Sequence, residues 1–190
     1  SEKPAIQHRQ RLGKYVDKKL IDMATAGKNL SVYDKSNLPN GAHFRVGIVV
    51  SKWNAEITHA LREGAMEVLL AAGVPAEDCL VYEVPGAFEL PLATKWMLDS
   101  SPSVDAVIAI GSVIRGETAH FDFVCEAAST GVLRAGMDSG KPAIFCVLTD
   151  DTMDQSKARS GGTLGNKGIE AAIACLDMLT LKNRLFPGMT

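Results

Sequence analysis

The sequence lacks most of the features that mark secreted, membrane-bound and nucleic-acid-binding proteins. It has only four cysteines in 190 residues, and no C-x-x-C pair, so neither a disulfide framework nor a zinc site is expected. No apolar run approaches the roughly 20 residues that a membrane-spanning helix requires, and residues 1–22 lack the apolar core of a secretory signal. The formal net charge of −2 argues against binding nucleic acid through bulk charge. We therefore expect a cytoplasmic protein without metal, membrane or nucleic-acid partners.

The sequence does contain enough apolar residues for one folded domain, preceded by a polar extension. Hydrophobic residues make up 46% of the chain, an ordinary fraction for a globular protein. Residues 1–43 are polar, include several glycines and prolines, and close with the turn-like segment 37–41. We predict a partly ordered extension over 1–43, with a short amphipathic helix near 15–23, followed by a domain over 44–190.

Within the domain, short apolar runs alternate with segments whose apolar residues recur at helical spacing. Strands are predicted at 44–50, 79–84, 104–110 and 143–148, and helices at 58–72, 91–98, 118–133, 152–159 and 166–183. A capping box at 152–155 marks the start of the fourth helix. Continuously apolar strands with helical connections imply a parallel sheet covered on both faces. The predicted fold is a flavodoxin-like three-layer α/β/α sandwich with a four-stranded parallel sheet.

Residues able to bind a ligand follow the first three predicted strands. Trp53 and Asn54 come after the first strand, Phe88 and Glu89 after the second, and His120 after the third. Because the carboxyl ends of parallel strands meet at one edge of a sheet, these side chains are expected to gather there. Each could have a purely structural role alone, Trp53 as a core anchor and Glu89 as a helix-terminal carboxylate. Together they predict a pocket for a flat, polar heterocycle with an anion nearby.

His120 stands where the third strand gives way to a helix. Gly116 and the Thr118 hydroxyl precede it in the turn, and unpaired amides are expected at the helix start. Such a place binds anions, and an imidazole there can transfer protons to them. A histidine chosen at random near a helix start would be an ordinary surface residue. The ligand-binding residues after the other strands favour a catalytic role.

A glycine-rich segment at 160–168 is the second distinctive feature. It is not a phosphate-binding Walker A loop, because the Gly-Lys-Ser/Thr sequence is missing and no predicted strand precedes it. By local pattern it is a flexible link between two helices. Arg159 before it and Lys167 within it would nevertheless suit contacts to phosphate or carbonyl groups, so both interpretations remain open.

Five separated motifs together resemble those of the 6,7-dimethyl-8-ribityllumazine synthase family. They are WN (53–54), VPGAFELP (84–91), GSVIRGETAHFDFVC (111–125), FCVLT (145–149) and R…GNKG (159–168). The resemblance covers about 44–181, with the motifs in order and at matching spacings. It implies a transferase of riboflavin biosynthesis that works without metal or organic cofactor. In the implied reaction, 5-amino-6-(D-ribitylamino)uracil condenses with 3,4-dihydroxy-2-butanone 4-phosphate to give the lumazine, and phosphate and water are released.

The resemblance also implies how the pyrimidine substrate is bound. Trp53 matches an aromatic residue, commonly phenylalanine in the family, that stacks on the pyrimidine. Asn54 and the 87–89 segment hold the ribityl chain and the ring edge, while Val113 and Ile114 offer backbone contacts to the heterocycle. The substrate-binding residues implied on this side are Trp53, Asn54, Ala87, Phe88, Glu89, Val113 and Ile114.

For the second substrate, the resemblance assigns the phosphate to Arg159, Gly116 and Thr118, and it makes Glu117 of the same loop a substrate-binding residue. Ala119 occupies a position where many relatives have a second hydroxyl, so one phosphate contact is expected to be absent. His120 is the implied proton-transfer residue, which makes His120 and Arg159 the expected catalytic pair. Phe145 and Lys167, and Arg159 as well, match positions that the family supplies from a neighbouring subunit.

The implied assembly is a pentamer with active sites at subunit interfaces. Shell-forming members of the family tend to have a short, glycine-rich link between the last two helices, and no insertion interrupts 161–166 here. We therefore expect twelve pentamers to form a 60-subunit shell. The extension, residues 1–43, is expected to add a strand to the sheet of the neighbouring subunit. Alternatively, it caps the faces of the pentamer and prevents the shell from forming. Because indole stacks over a larger area than a phenyl ring, we also expect riboflavin to bind.

Two alternative functions are consistent with parts of the sequence. One is an archaeal-type riboflavin synthase of similar fold, which would consume the lumazine. The other is a flavin-carrying or purely structural assembly protein without activity. The 84–89 run and the 159–167 segment favour lumazine synthase over the first, and the joint presence of His120, Thr118 and Arg159 argues against the second.

Overall fold

A computed structural model describes residues 31–100 and 102–187 as one alternating series of strands and helices. The strands are β1 (Val46–Ser51), β2 (Cys79–Val84), β3 (Ala106–Ile114), β4 (Ala143–Asp150), β5 (Ser160–Gly162) and β6 (Gly165–Asn166). The helices are α1 (Ala55–Ala71), α2 (Leu90–Asp99), α3 (His120–Ser139), α4 (Met153–Arg159) and α5 (Lys167–Leu185). Within the two described ranges, no helix is both long and apolar enough to cross a membrane.

Strands β1 to β4 form one parallel sheet in the order β2-β1-β3-β4. In its interior, Ile48 of β1 lies opposite Val81 of β2 on one side and Ile108 of β3 on the other. Every residue of β1 is buried, as expected for a continuously apolar strand with helices above and below it. The predicted flavodoxin-like three-layer α/β/α sandwich is confirmed.

Helices α1 and α5 cover one face of the sheet, and α2 and α3 cover the other. Successive residues of a strand point to opposite faces, so Ile48 packs in the cluster with α1 and α5, whereas Val49 packs in the cluster with α2 and α3. Both side chains are fully buried. Burial of an aliphatic side chain of this size contributes roughly 1.5–3 kcal/mol, so the two clusters fix the layers on either side of the sheet.

Two predicted boundaries are wrong by four or more residues, and both errors concern glycine. The predicted end of β3 at 110 falls short, since pairing with β4 continues through Gly111 to Ile114. The predicted end of α3 before Gly136 is also wrong, since the helix continues to Ser139. Gly136 serves a close approach instead, because a Cβ there would lie 2.9 Å from the Cβ of Ala143. The helix ends where Gly140 adopts the left-handed conformation, at a φ of 62°.

The glycine-rich segment is a structured hairpin and not a flexible link. Strands β5 and β6 pair antiparallel across the turn between α4 and α5. Gly161 and Gly165 take φ values of 118° and 84°, which side-chain-bearing residues rarely adopt. The predicted capping box before the hairpin is confirmed, with the Gln155 amide donating to Thr152 Oγ1 at 3.3 Å. The hairpin therefore sets the spacing between Arg159 and Lys167.

The described part of the extension packs against the domain. Tyr33 and Leu38 lie against the core on the α1 and α5 side. Ser31 Oγ donates to the carbonyl of Asn166 at 3.1 Å, and the Gly41 amide donates to the carbonyl of Ala72 at 2.7 Å. The helix predicted near 15–23 lies outside the described residues. Residues 31–43 are thus continuous with the domain.

Candidate active site

A cleft of about 620 Å³ opens at the carboxyl ends of β1, β2 and β3. It gathers most of the residues that the sequence places after these strands, as the parallel arrangement requires. The predicted site residues that line it are Trp53, Asn54, Ala87, Phe88, Glu89, Val113, Ile114 and His120. Gly86, Ser112 and Val124, which sequence reasoning did not assign to the site, complete the lining.

Trp53 is held at the rim of the cleft by the conformation of the next residue. Asn54 is left-handed, with a φ of 56°, and its Nδ2 donates to the carbonyl of Ser112 at 2.9 Å. Asparagine tolerates this conformation better than most residues, and the hydrogen bond ties the end of β1 to β3. The Trp53 side chain remains 73% exposed, and Gly86 leaves room for its ring, since a Cβ at Gly86 would lie 3.3 Å from Trp53 Cδ1.

Phe88 supplies a second exposed aromatic ring to the cleft. It lies in the 3₁₀ turn Ala87–Glu89, and its side chain is 61% exposed. The Glu89 carboxylate accepts a hydrogen bond from the Gly86 amide at 2.9 Å, which fixes this turn at the start of α2. Glu89 therefore has a structural role whether or not it contacts a ligand. Two aromatic rings in one cleft suit the faces of a flat heterocycle.

His120 is the first residue of α3, two residues after the predicted helix start at 118. Its amide donates to Thr118 Oγ1 at 3.4 Å, and the capping position, Ala119, offers no side-chain hydrogen bond. Gly116, Glu117 and Thr118 lie exposed on the loop between β3 and this helix. The positive end of the α3 dipole thus meets an open loop with an imidazole beside it. This arrangement can bind an anion and exchange a proton with it.

The remaining predicted residues lie elsewhere, in a groove of about 470 Å³ between β4 and α5. Phe145, Arg159 and Lys167 line this groove and not the cleft. Strand β4 is the last in the sheet order, so the groove runs along an edge of the sheet that no strand of the described residues covers. The chain therefore divides its predicted site residues between two surfaces.

Each cation of the groove lies near a carboxylate. Arg159 Nε is 3.8 Å from Asp150 Oδ1, and Lys167 Nζ is 2.6 Å from Glu170 Oε2. Partly exposed pairs of this kind contribute little to stability, so the cations can exchange these partners for a bound anion. Cys146 also lines the groove, but burial raises the pKa of its thiol to about 12, which makes it a poor nucleophile.

Sequence reasoning missed the residues that pair with other site residues or hold them in place. Asp150 and Glu170 pair with the two cations, and Ser112 receives the Asn54 hydrogen bond. Arg115 lies inside the GSVIRGETAHFDFVC motif, yet no role is apparent for it until its partners are located. The sequence offered one signal for Arg115, its position within a motif. Its pairings with distant segments could not be predicted, because they depend on the folded chain.

Comparisons with known proteins identify the family of the chain. Residues 43–183 match the model of the family described as 6,7-dimethyl-8-ribityllumazine synthase. A protein of that name from Christiangramia forsetii is 51% identical over 84% of this chain and 95% of its own length. Those from Flavobacterium johnsoniae and Porphyromonas gingivalis are 52% and 47% identical, over 85% and 84% of this chain and 85% and 99% of their own lengths. The chain belongs to the 6,7-dimethyl-8-ribityllumazine synthase family.

Proposed function

We propose that this chain condenses 5-amino-6-(D-ribitylamino)uracil with 3,4-dihydroxy-2-butanone 4-phosphate to form 6,7-dimethyl-8-ribityllumazine, the penultimate step of riboflavin biosynthesis. The observation that carries the proposal is the cleft, where exposed aromatic rings lie beside a histidine at a helix start. Family membership favours this reaction over that of an archaeal-type riboflavin synthase, which would start from the lumazine.

In this proposal the chain binds and orients the pyrimidine in the cleft. Trp53 and Phe88 stack on its ring, and Asn54 and Glu89 lie beside the ring edge and ribityl chain. The 5-amino group attacks the ketone carbonyl, and loss of water gives an imine. Phosphate then leaves, and the ribitylamino nitrogen closes the ring with loss of a second water. Holding both substrates in place supplies much of the rate enhancement.

His120 is proposed to transfer protons during these steps. Imine formation, phosphate elimination and ring closure all move protons on or off nitrogen, carbon or oxygen. An imidazole can accept a proton from one group and return it to another. The phosphate, on the loop of Gly116, Glu117 and Thr118, would lie near the positive end of α3.

Replacing His120 by alanine should lower kcat for lumazine formation by about 10²-fold, because general acid–base catalysis contributes 10²–10⁴-fold and positioning would survive. The KM for the pyrimidine should stay within about twofold, since the stacking rings are intact. Steady-state absorbance of the lumazine measures both. His59→Ala removes another exposed histidine, paired with Glu83 at 3.3 Å, and should leave kcat unchanged. An unaltered kcat in His120→Ala would refute the catalytic assignment.

We further propose that each active site combines the cleft of one subunit with the groove of its neighbour in a pentamer. No lysine or arginine is among the described residues that line the cleft. A phosphate group is bound more strongly with such a partner, and Arg159 and Lys167 lie in the groove. The groove follows the outer edge of β4, and such edges are commonly covered. These observations support a site shared between subunits.

If the site is shared between subunits, two variants that are each impaired alone should regain activity when their subunits are mixed. Arg159→Ala and His120→Ala subunits, co-refolded in equal amounts, should form some interfaces with an intact His120 on one side and an intact Arg159 on the other. Random mixing in a ring would restore about a quarter of the wild-type sites. Lumazine formation by the mixture, compared with each variant refolded alone, measures this. No recovery from fully mixed rings would place both residues in a site within one subunit.

We also propose that the pentamers assemble into a shell of 60 subunits. The support is the compact β5–β6 hairpin, which joins α4 to α5 without an insertion. Sedimentation velocity should show a single large particle for the full chain. A version beginning at Ala42, which lacks the contacts of Ser31 and Tyr33, tests whether the extension controls assembly. Pentamers alone in both samples would contradict the shell, and a shell only after truncation would make the extension an inhibitor of assembly.

Riboflavin is proposed to bind in the same cleft by stacking on Trp53. Titration with riboflavin should quench the flavin fluorescence, and Trp53→Phe should weaken binding by about fivefold, since aromatic stacking contributes roughly 0.5–1.5 kcal/mol. The other tryptophan, Trp96, is exposed on α2 and provides the matched control. Trp96→Phe should bind riboflavin as the parent does. Equal affinity in all three proteins would disprove the role of Trp53.

We propose a cytoplasmic location for the enzyme. The support is that all four cysteines are free thiols, with Cys146 and Cys175 buried in the interior. Free buried thiols suit a reducing compartment, where disulfides rarely form.

A further inference from the structure

Arg115 connects the loop before α3 to three other parts of the fold. Its Nε donates to Asp151 Oδ1 at 2.8 Å, and its Nη1 donates to Asp122 Oδ1 at 3.1 Å. Its guanidinium carbon lies 4.1 Å from the centre of the Phe121 ring. Its backbone amide donates to the carbonyl of Asp150 at 3.0 Å, which extends the β3–β4 ladder by one residue. A single side chain therefore uses two charged hydrogen bonds and one ring contact.

These partners come from two segments of the chain, the first turn of α3 and the residues that follow β4. Phe121 and Asp122 belong to the first turn of α3, directly after His120. Asp151 follows β4, and its amide donates to Gln155 Oε1 at 2.8 Å, within the cap of α4. The guanidinium thus joins the start of α3 to the start of α4. Gly116, the residue after Arg115, lies in open space, since a Cβ there would meet nothing within 4 Å.

The charge around Arg115 argues against direct binding of phosphate. Two carboxylates hold the guanidinium through hydrogen bonds, so its positive charge is already offset. Arg159 differs, because its nearest described carboxylate, that of Asp150, is 3.8 Å away. A planar, forked guanidinium that also stacks on a ring is suited to fix geometry. A lysine ammonium in its place could not make both hydrogen bonds and the stacking contact.

We propose that Arg115 is a positioning residue that holds the 116–119 loop and the start of α3 so that the α3 amides and His120 meet the phosphate of the substrate. The inference rests on the proposed function. Asp122 and Asp151 are the other two members of this arrangement, because the guanidinium has no fixed orientation without them. All three act on phosphate affinity through the loop and not by contact.

Substitution of Asp122 or Asp151 distinguishes a positioning role of Arg115 from direct binding of phosphate by Arg115. If Arg115 only positions the loop, Asp151→Asn and Asp122→Asn weaken phosphate binding, as Arg115→Gln does. If Arg115 is itself a phosphate ligand, the aspartates compete with the phosphate, and their removal strengthens binding. Asp99→Asn breaks the exposed Lys95–Asp99 ion pair on α2 and is the matched control. The direction of the change in the aspartate variants is therefore decisive.

The experiment measures the Kd of inorganic phosphate by calorimetry and the KM of each substrate for the assembled enzyme. Arg115→Gln should raise the phosphate Kd and the KM for the butanone phosphate about tenfold, since a misplaced loop loses its oriented contacts. The KM for the pyrimidine should change by less than about twofold. Arg115→Lys should not restore affinity, and adding Asp151→Asn to Arg115→Gln should cost nothing further, because both changes break one arrangement.

Tighter phosphate binding in either aspartate variant, or unchanged binding in Arg115→Gln, would overturn the proposal. Equal increases in the KM of both substrates would do the same, since they would indicate a general structural defect. Failure of the wild-type protein to form lumazine would refute the proposed function separately. The phosphate Kd values across the variants do not depend on turnover and would still decide the role of Arg115.

Discussion

The parallel alignment of four strands is the constraint on which the site depends. It directs all four carboxyl ends to one edge, so residues far apart in sequence become neighbours. The burial of β1 and β3 between two helical layers fixes this alignment, because a one-residue slip in either strand would exchange the side chains packed on the two faces of the sheet. The hydrogen bond from Asn54 to Ser112 then links the ends of these two strands. The cleft is therefore a consequence of the core.

The exposed aromatic rings of the cleft and the cations of the groove lie on separate surfaces of the chain. The cleft presents Trp53 and Phe88, while Arg159 and Lys167 lie in the groove beside β4. Asp150 and Glu170 balance the charge of the groove cations when no anion is bound. Because these pairs are partly exposed, a phosphate can replace a carboxylate at modest cost. The proposed site shared between subunits accounts for this separation, because the groove of one subunit would complete the cleft of another.

Hydrophobic periodicity and short-range chemistry were sufficient to predict the layers of the fold. The alternation of apolar strands and helices predicted the sandwich, and the capping residues predicted the start of α4. Periodicity could not show that Gly136 permits a close approach and does not end α3, because that depends on contact with Ala143. For the same reason, local pattern could not distinguish a flexible link from the β5–β6 hairpin. Predicted boundaries are wrong where tertiary contacts override local preference.

For the site, the sequence identified residue types and their edge of the sheet but not the interactions that hold them. Glu89 fixes its own turn through the Gly86 amide, and Asn54 fixes the turn that carries Trp53. The backbone that carries the exposed rings is thus positioned by polar contacts of neighbouring residues. A ligand meets turns already in place, so less backbone entropy is lost on binding. Arg115 extends the same arrangement to the loop before His120, where polar contacts hold an exposed segment that has no core to pack against.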